Sequence, residues 1–183
     1  MTRIILIHGL GGHPQESWFP WLKQELEKSS HKVEVPQLPS PHKPQLKDWL
    51  TTLEKLSLSQ EDILIGHSLG VPTVLHLLER HSAKAAFLVA GFCSLLDERF
   101  NERIRNFVEE GFQWKKIKSN CQKFFIFHAD NDPFVPLKKA KELEKHLHSS
   151  VILISNGGHL NEDAGYFKFP LLLKKIREEM KKK

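Results

Sequence analysis

Short apolar runs with no polar alternation recur along the chain, separated by amphipathic stretches. Such runs appear within residues 3–8, at Ile63-Leu64-Ile65, Ala85 to Ala90, Phe124-Phe125-Ile126-Phe127 and Val151-Ile152-Leu153-Ile154, and Val33-Glu34-Val35 reads as a further short strand with Glu34 between its valines. Continuous apolar runs are what strands covered on both faces require. Between them, apolar residues return at helical spacing. A helix is predicted from about Ser17, with Trp18, Trp21, Leu22 and Leu26 on one face and Pro20 in its first turn. Others are predicted over Leu46–Leu56, over Val71, Val74, Leu75 and Leu78, over Leu137–Leu147, and over Phe169, Leu173, Ile176 and Met180. Pro36 to Pro44 holds four prolines and reads as loop. Strands alternating with helices predict an α/β fold, a mainly parallel sheet with helices on both faces.

Residues 92–120 interrupt that alternation. Leu96, Phe100, Ile104, Phe107 and Val108 recur at helical spacing, with Phe112 and Trp114 following. The expected arrangement is a single domain, residues 1–183, in which this insertion forms a small cap-like element. Its apolar side chains would either line an acyl or leaving-group pocket or complete the core.

Composition narrows the setting. The 183 residues fit one domain, and the 40% apolar fraction supplies a sizeable core. The formal charge of +5 is mild, and part of it sits in Lys174-Lys175-Ile176-Arg177 and Lys181-Lys182-Lys183. A lysine-rich helix end suits the negative end of a helix dipole. No basic stripe with interleaved aromatics appears elsewhere, so nucleic acid is not an expected partner. Cys93 and Cys121 are too few for a disulfide framework. The chain enters a strand within its first residues, and that run is too short for a signal peptide or a membrane span. A cytoplasmic protein of a reducing compartment is the expectation.

The chemistry is concentrated at Gly66-His67-Ser68-Leu69-Gly70, between the third strand and its helix. Gly-x-Ser-x-Gly at a strand-to-helix turn is a nucleophile elbow. A serine at the tip of so sharp a turn sits in a strained conformation, which needs nearly side-chain-free neighbours two residues away. Its hydroxyl then stands at a helix N-terminus, where backbone N–H groups favour negative charge. In a parallel sheet, active groups gather at the carboxyl ends of the strands. His159 follows the sixth strand there, after Gly157 and Gly158, and Asp130 and Asp132 both follow the fifth. Ser68, then an acid, then His159 is the chain order of α/β-hydrolases. Ser68 would be the nucleophile and His159 its general base, later the leaving-group acid. The carboxylate would orient the imidazole and stabilise its cation. Turnover should then rise with pH as His159 loses its proton. The Leu69 N–H is the expected first oxyanion donor. No ligand cluster of convincing spacing accompanies His8 and His13, so no metal is expected. His8 and His67 read as structural neighbours of the site.

The chain resembles the small serine hydrolases of the YdeN and retinoblastoma-binding-protein-9-like family. The resemblance runs nearly end to end. It rests on His8-Gly9, Trp18-Phe19-Pro20-Trp21-Leu22, Asp48-Trp49-Leu50, Gly66 to Gly70, Asp132-Pro133-Phe134-Val135-Pro136 and Gly157-Gly158-His159. Asp132-Pro133-Phe134-Val135-Pro136 is similar to the Asp-x-x-Val-Pro turn by which α/β-hydrolases present their acid, which favours Asp132 over Asp130. His8-Gly9-Leu10 resembles the His-Gly-x oxyanion turn, which assigns the second donor to the Leu10 N–H. The resemblance implies a minimal α/β-hydrolase fold, six strands ordered 2-1-3-4-5-6, and hydrolysis without a cofactor. The expected substrate is a small carboxylic ester. Thioesters, amides and peptides are alternatives served by the same residues, and a catalytically silent binding module is an alternative of another class. A retinoblastoma-type partner is unsupported, because neither cysteine sits in a Leu-x-Cys-x-Glu motif.

Overall fold

In the computed structural model, which describes residues 2–96 and 98–181, six strands form one sheet. They are β1 (Arg3–Ile7), β2 (Lys32–Glu34), β3 (Ile63–His67), β4 (Ala85–Val89), β5 (Phe124–Ala129) and β6 (Val151–Ile154). Their order is β2-β1-β3-β4-β5-β6, and every neighbouring pair is parallel. The helices are α1 (Phe19–Glu27), α2 (Leu46–Glu54), α3 (Gly70–Leu78), α4 (Glu98–Ile104), α5 (Trp114–Asn120), α6 (Leu137–Leu147) and α7 (Pro170–Met180). Lys182 and Lys183 of the basic tail lie outside the described residues.

β1 shows why its apolar run has no polar alternation. Ile5 and Ile7 join the core beneath α2, α3, α5 and α6, whereas Ile4 and Leu6 join the core beneath α1 and α7. All four are fully buried. Each such side chain contributes roughly 1.5–3 kcal/mol of burial. Both faces therefore need apolar residues.

Two elements depart from the expected pattern. α1 begins at Phe19 rather than near Ser17, because Ser17 adopts a left-handed φ of 52° that no helix continues. α3 is buried nearly all round, with only His76 partly open, instead of presenting one apolar face. The sheet covers one side of it and α2 and α5 cover the other. This central helix leads directly out of the elbow.

The 92–120 segment divides between two tasks. Leu96, Phe100 and Ile104 line a cavity at the carboxyl ends of the strands. Phe107, Val108 and Ile117 instead belong to the main core. Phe112 packs on His76 with ring centroids 4.7 Å apart, and Trp114 stacks on His146 at 4.2 Å. Phe112 and Trp114 are not among the residues that line the cavity.

Candidate active site

Ser68 follows β3 directly, with a φ of 54°. A non-glycine residue in that left-handed region is strained unless its surroundings hold it. The hold here comes from pairing and close approach. The Ser68 N–H donates to the Val89 carbonyl at 2.9 Å, and the Ser68 carbonyl accepts from the Val71 N–H at 3.0 Å. A Cβ at Gly66 would lie 2.5 Å from the Gly70 carbonyl oxygen, and one at Gly70 would strike the Ile7 carbonyl. The turn closes only because both positions lack side chains.

Two further loops meet the serine. The loop after β1 brings Gly9 alongside, so that a Cβ there would be 3.5 Å from Ser68 Oγ. Leu10 and Leu69 both line the cavity with Ser68. Neither backbone N–H has an acceptor among the described residues. From the opposite side comes the loop after β6, with His159. Its Nδ1–H donates to Asp132 Oδ2 at 2.8 Å, and the Asp132 side chain is fully buried.

Asp132 is held at both oxygens. Oδ1 accepts the Phe134 N–H at 2.9 Å and the Val135 N–H at 3.0 Å. Burial alone would raise its pKa. The bond and charge of His159, with the two amides, outweigh burial and leave the carboxyl below its usual range. Asp130 takes a different position: its Oδ1 accepts the Asn156 N–H at 2.8 Å, which ties the acid loop to the His159 loop. Asn131 Oδ1 makes a parallel tie to the Gly158 N–H at 2.8 Å.

Three other histidines surround the site, all buried, and burial lowers the pKa of each. His8 donates from Nδ1 to the Gly9 carbonyl at 2.9 Å and accepts the Leu38 N–H at Nε2. His128 Nε2 donates to the Val135 carbonyl at 2.8 Å; its 3.9 Å separation from Asp132 Oδ2 is too long for a second hydrogen bond. His67 Nε2 lies 3.0 Å from the carbonyl oxygen of His159. Sequence reasoning placed His8 and His67 near the site, but it missed His128 and Asn131. Their signal was position, since His128 lies at the carboxyl end of strand β5 and Asn131 just beyond it.

The cavity measures about 290 Å³ and has two unlike walls. Leu96, Phe100, Ile104, Phe134 and Val135 form an apolar side, while Glu16, Asn161, Glu162 and Asp163 form a polar one. Burial pushes the Glu16 carboxyl up to about 7, helped by the charge of Glu162 and opposed by a hydrogen bond from the His13 backbone. A shallower depression continues past His159 along Asn131, Asn156 and Asn161. Burial also pushes the thiols up, Cys93 to about 12 and Cys121 to about 11. Both therefore stay protonated thiols at neutral pH. Among the described residues, no group of three His, Cys, Asp or Glu side chains could hold a metal ion, and no helix is long and apolar enough to cross a membrane.

The chain as a whole is similar to known proteins. The model of the serine hydrolase family matches residues 4–178. The YdeN protein of Bacillus subtilis (strain 168) is 30% identical over 179 residues, covering 94% of this chain and 93% of its own. Serine hydrolase RBBP9 of Rattus norvegicus is 29% identical over 162 residues, covering 86% of this chain and 87% of its own. The crystal structure of the B. subtilis ydeN gene product superposes with a TM-score of 0.93, at 28% identity and full coverage of both chains. Est1E of Butyrivibrio proteoclasticus, crystallised with ferulic acid, shares the fold at a TM-score of 0.73, with 16% identity, 98% of this chain and 88% of its own. The chain belongs to the serine hydrolase family.

Proposed function

We propose that this protein hydrolyses small carboxylic esters through an acyl-enzyme on Ser68. The observation that carries the reading is the buried Asp132–His159 hydrogen bond, opening on the same cavity as a serine at a strained strand-to-helix turn. Ser68 Oγ attacks the ester carbonyl carbon while His159 Nε2 takes the hydroxyl proton. The resulting oxyanion receives the N–H groups of Leu10 and Leu69, a role supported by both amides lacking an acceptor among the described residues. Collapse expels the alcohol, which leaves with the proton carried by His159. Water then attacks the acyl-enzyme by the same route, releasing the acid and regenerating Ser68. Asp132 stays ionised throughout and fixes the imidazole with its proton on Nδ1.

The apolar wall would receive the acyl chain, with Leu96, Phe100 and Ile104 from the first half of the 92–120 segment acting as a cap. A cavity of about 290 Å³ lies at the lower edge of ligand-pocket volumes and suits a small substrate. Thioesters and amides pass through the same acyl-enzyme, and their relative rates follow from leaving group and fit. The free thiols Cys93 and Cys121 agree with the cytoplasmic setting. Steady-state hydrolysis of p-nitrophenyl acetate, butyrate and octanoate, beside the matching thioesters and anilides, tests the assignment. The expected order is ester above thioester above anilide, with short acyl chains ahead. Anilide turnover exceeding ester turnover would replace esterase by amidase.

A further inference from the structure

His67 is a buried histidine with half of its hydrogen-bonding capacity unused. It fills the variable position before the serine in the elbow, and it is only 4% exposed. Burial pushes its pKa down to about 3, so the ring is neutral and carries a single N–H. A carbonyl oxygen can only accept, and the 3.0 Å contact with the His159 carbonyl therefore fixes that hydrogen on Nε2. Nδ1 has no partner among the described residues, a cost that native interiors seldom carry without a reason.

The reason lies in the neighbouring carbonyls. Trp18, fully buried in the loop between β1 and α1, donates its indole N–H to the Leu160 carbonyl at 2.9 Å. Trp18 and His67 meet edge to face, with ring centroids 6.1 Å apart. Two consecutive carbonyls, at 159 and 160, are thus gripped by two rings that also brace each other. Leu160 needs the grip, because its φ of 51° is left-handed. Asn131 holds the preceding Gly158 N–H, but nothing else among the described residues donates to the His159 carbonyl.

We infer that His67 is a positioning residue for catalysis, setting the backbone of His159 through its Nε2–H so that the imidazole faces both Asp132 and Ser68. The role rests on the hydrolase reading above. An apolar ring at 67 would fill the space yet leave the His159 carbonyl free to turn. Asparagine places its amide near the position of Nδ1, too short to reach, whereas glutamine places one near Nε2.

The test compares His67→Gln, His67→Asn and His67→Leu with wild type by ester kinetics, thermal unfolding and the downfield proton resonance of the His159 Nδ1–H. Misplacing a proton-transfer group by about 1 Å costs roughly 10²-fold in rate. His67→Leu and His67→Asn should lose roughly 10- to 100-fold in kcat with KM changed by less than about threefold, and should lose or broaden the downfield resonance. His67→Gln should restore most of both. Should His67→Leu fail to fold, the Gln and Asn pair still decides. Equal kcat for Gln and Asn at equal unfolding temperature would overturn the assignment, as would a wild-type resonance in His67→Asn. Wild-type turnover, checked against Ser68→Ala, reports separately on the hydrolase reading.

Discussion

Replacing Asp132 by asparagine changes one oxygen of a buried carboxylate into an NH2 group, and the structure dictates where that group must go. Oδ1 accepts two backbone N–H groups, from Phe134 and Val135, which an amide nitrogen cannot do. The amide oxygen therefore keeps the Oδ1 place and the NH2 faces His159 Nδ1. That nitrogen must then accept, and the ring proton moves to Nε2, the atom that should receive the serine proton. The tautomer is wrong for a general base. In a serine protease triad, the same exchange lowers kcat about 10⁴-fold. That is about 5 kcal/mol of transition-state stabilisation, and a loss of that order is expected here. The fold should change far less, because both turn hydrogen bonds remain and each is worth about 1 kcal/mol. Alanine is a poorer probe, since it strips those amides and His159 of their acceptor together.

The depressed pKa of Asp132 gives the variant a second signature. A carboxylate stabilised in the folded state contributes stability above its ordinary value of 3.8, and that contribution fades as pH falls through the native value. The stability gap between wild type and Asp132→Asn should therefore be present at pH 7, begin to shrink below about pH 4 and vanish once pH has fallen through the native value. Ester turnover and thermal unfolding measured on the same samples separate the two effects. Asp132→Asn retaining kcat within about tenfold of wild type would refute the tautomer argument.

Other consequences follow from the two walls of the cavity. Glu16 is raised from 4.5 to about 7, so its neutral form is favoured in the folded state, and the associated stability is lost as pH rises through about 7. The full cost of ionising it would be about 3 kcal/mol, which solvent screening at this partly open position reduces to about 1 kcal/mol. Glu16→Gln should match wild type in thermal unfolding near pH 4 and exceed it at pH 8; equal unfolding temperatures at pH 8 would contradict the burial argument. On the apolar wall, Phe100 packs edge to face on Phe134 with centroids 6.1 Å apart. Phe100→Ala should widen the acyl side and shift the kcat/KM optimum toward longer acyl chains by about tenfold, the scale of a methylene or two in an apolar pocket. An unchanged chain-length profile would remove Phe100 from that wall.

Much of this architecture was legible because it is local. Unbroken apolar runs marked five of the six strands, β2 being marked by Val33 beside a polar Glu34, and the elbow followed from Gly66 and Gly70 flanking a serine between a strand and a helix. What stayed hidden depends on residues far apart in sequence. Ser17 breaks the start of α1 because its N–H and hydroxyl engage Glu162, 145 residues away. The all-round burial of α3 could not be read from its own spacing, since α5 comes from the insertion that breaks the alternation. Phe112 and Trp114 turn away from the cavity because His76 on α3 and His146 on α6 offer ring faces. The turn at Asp132 favoured it over Asp130 from sequence, whereas the partner of Asp130, the Asn156 N–H, comes from the loop after β6 and had no local signal.

Every step of the proposed reaction depends on an activated serine at position 68. Incubation with a fluorophosphonate probe, followed by intact-mass measurement and peptide mapping, tests it without presupposing a substrate. One covalent adduct per chain is expected, mapped to Ser68, absent from Ser68→Ala and slower to form in Asp132→Asn. Folded wild-type protein that stays unlabelled, or an adduct on any other residue, would contradict it.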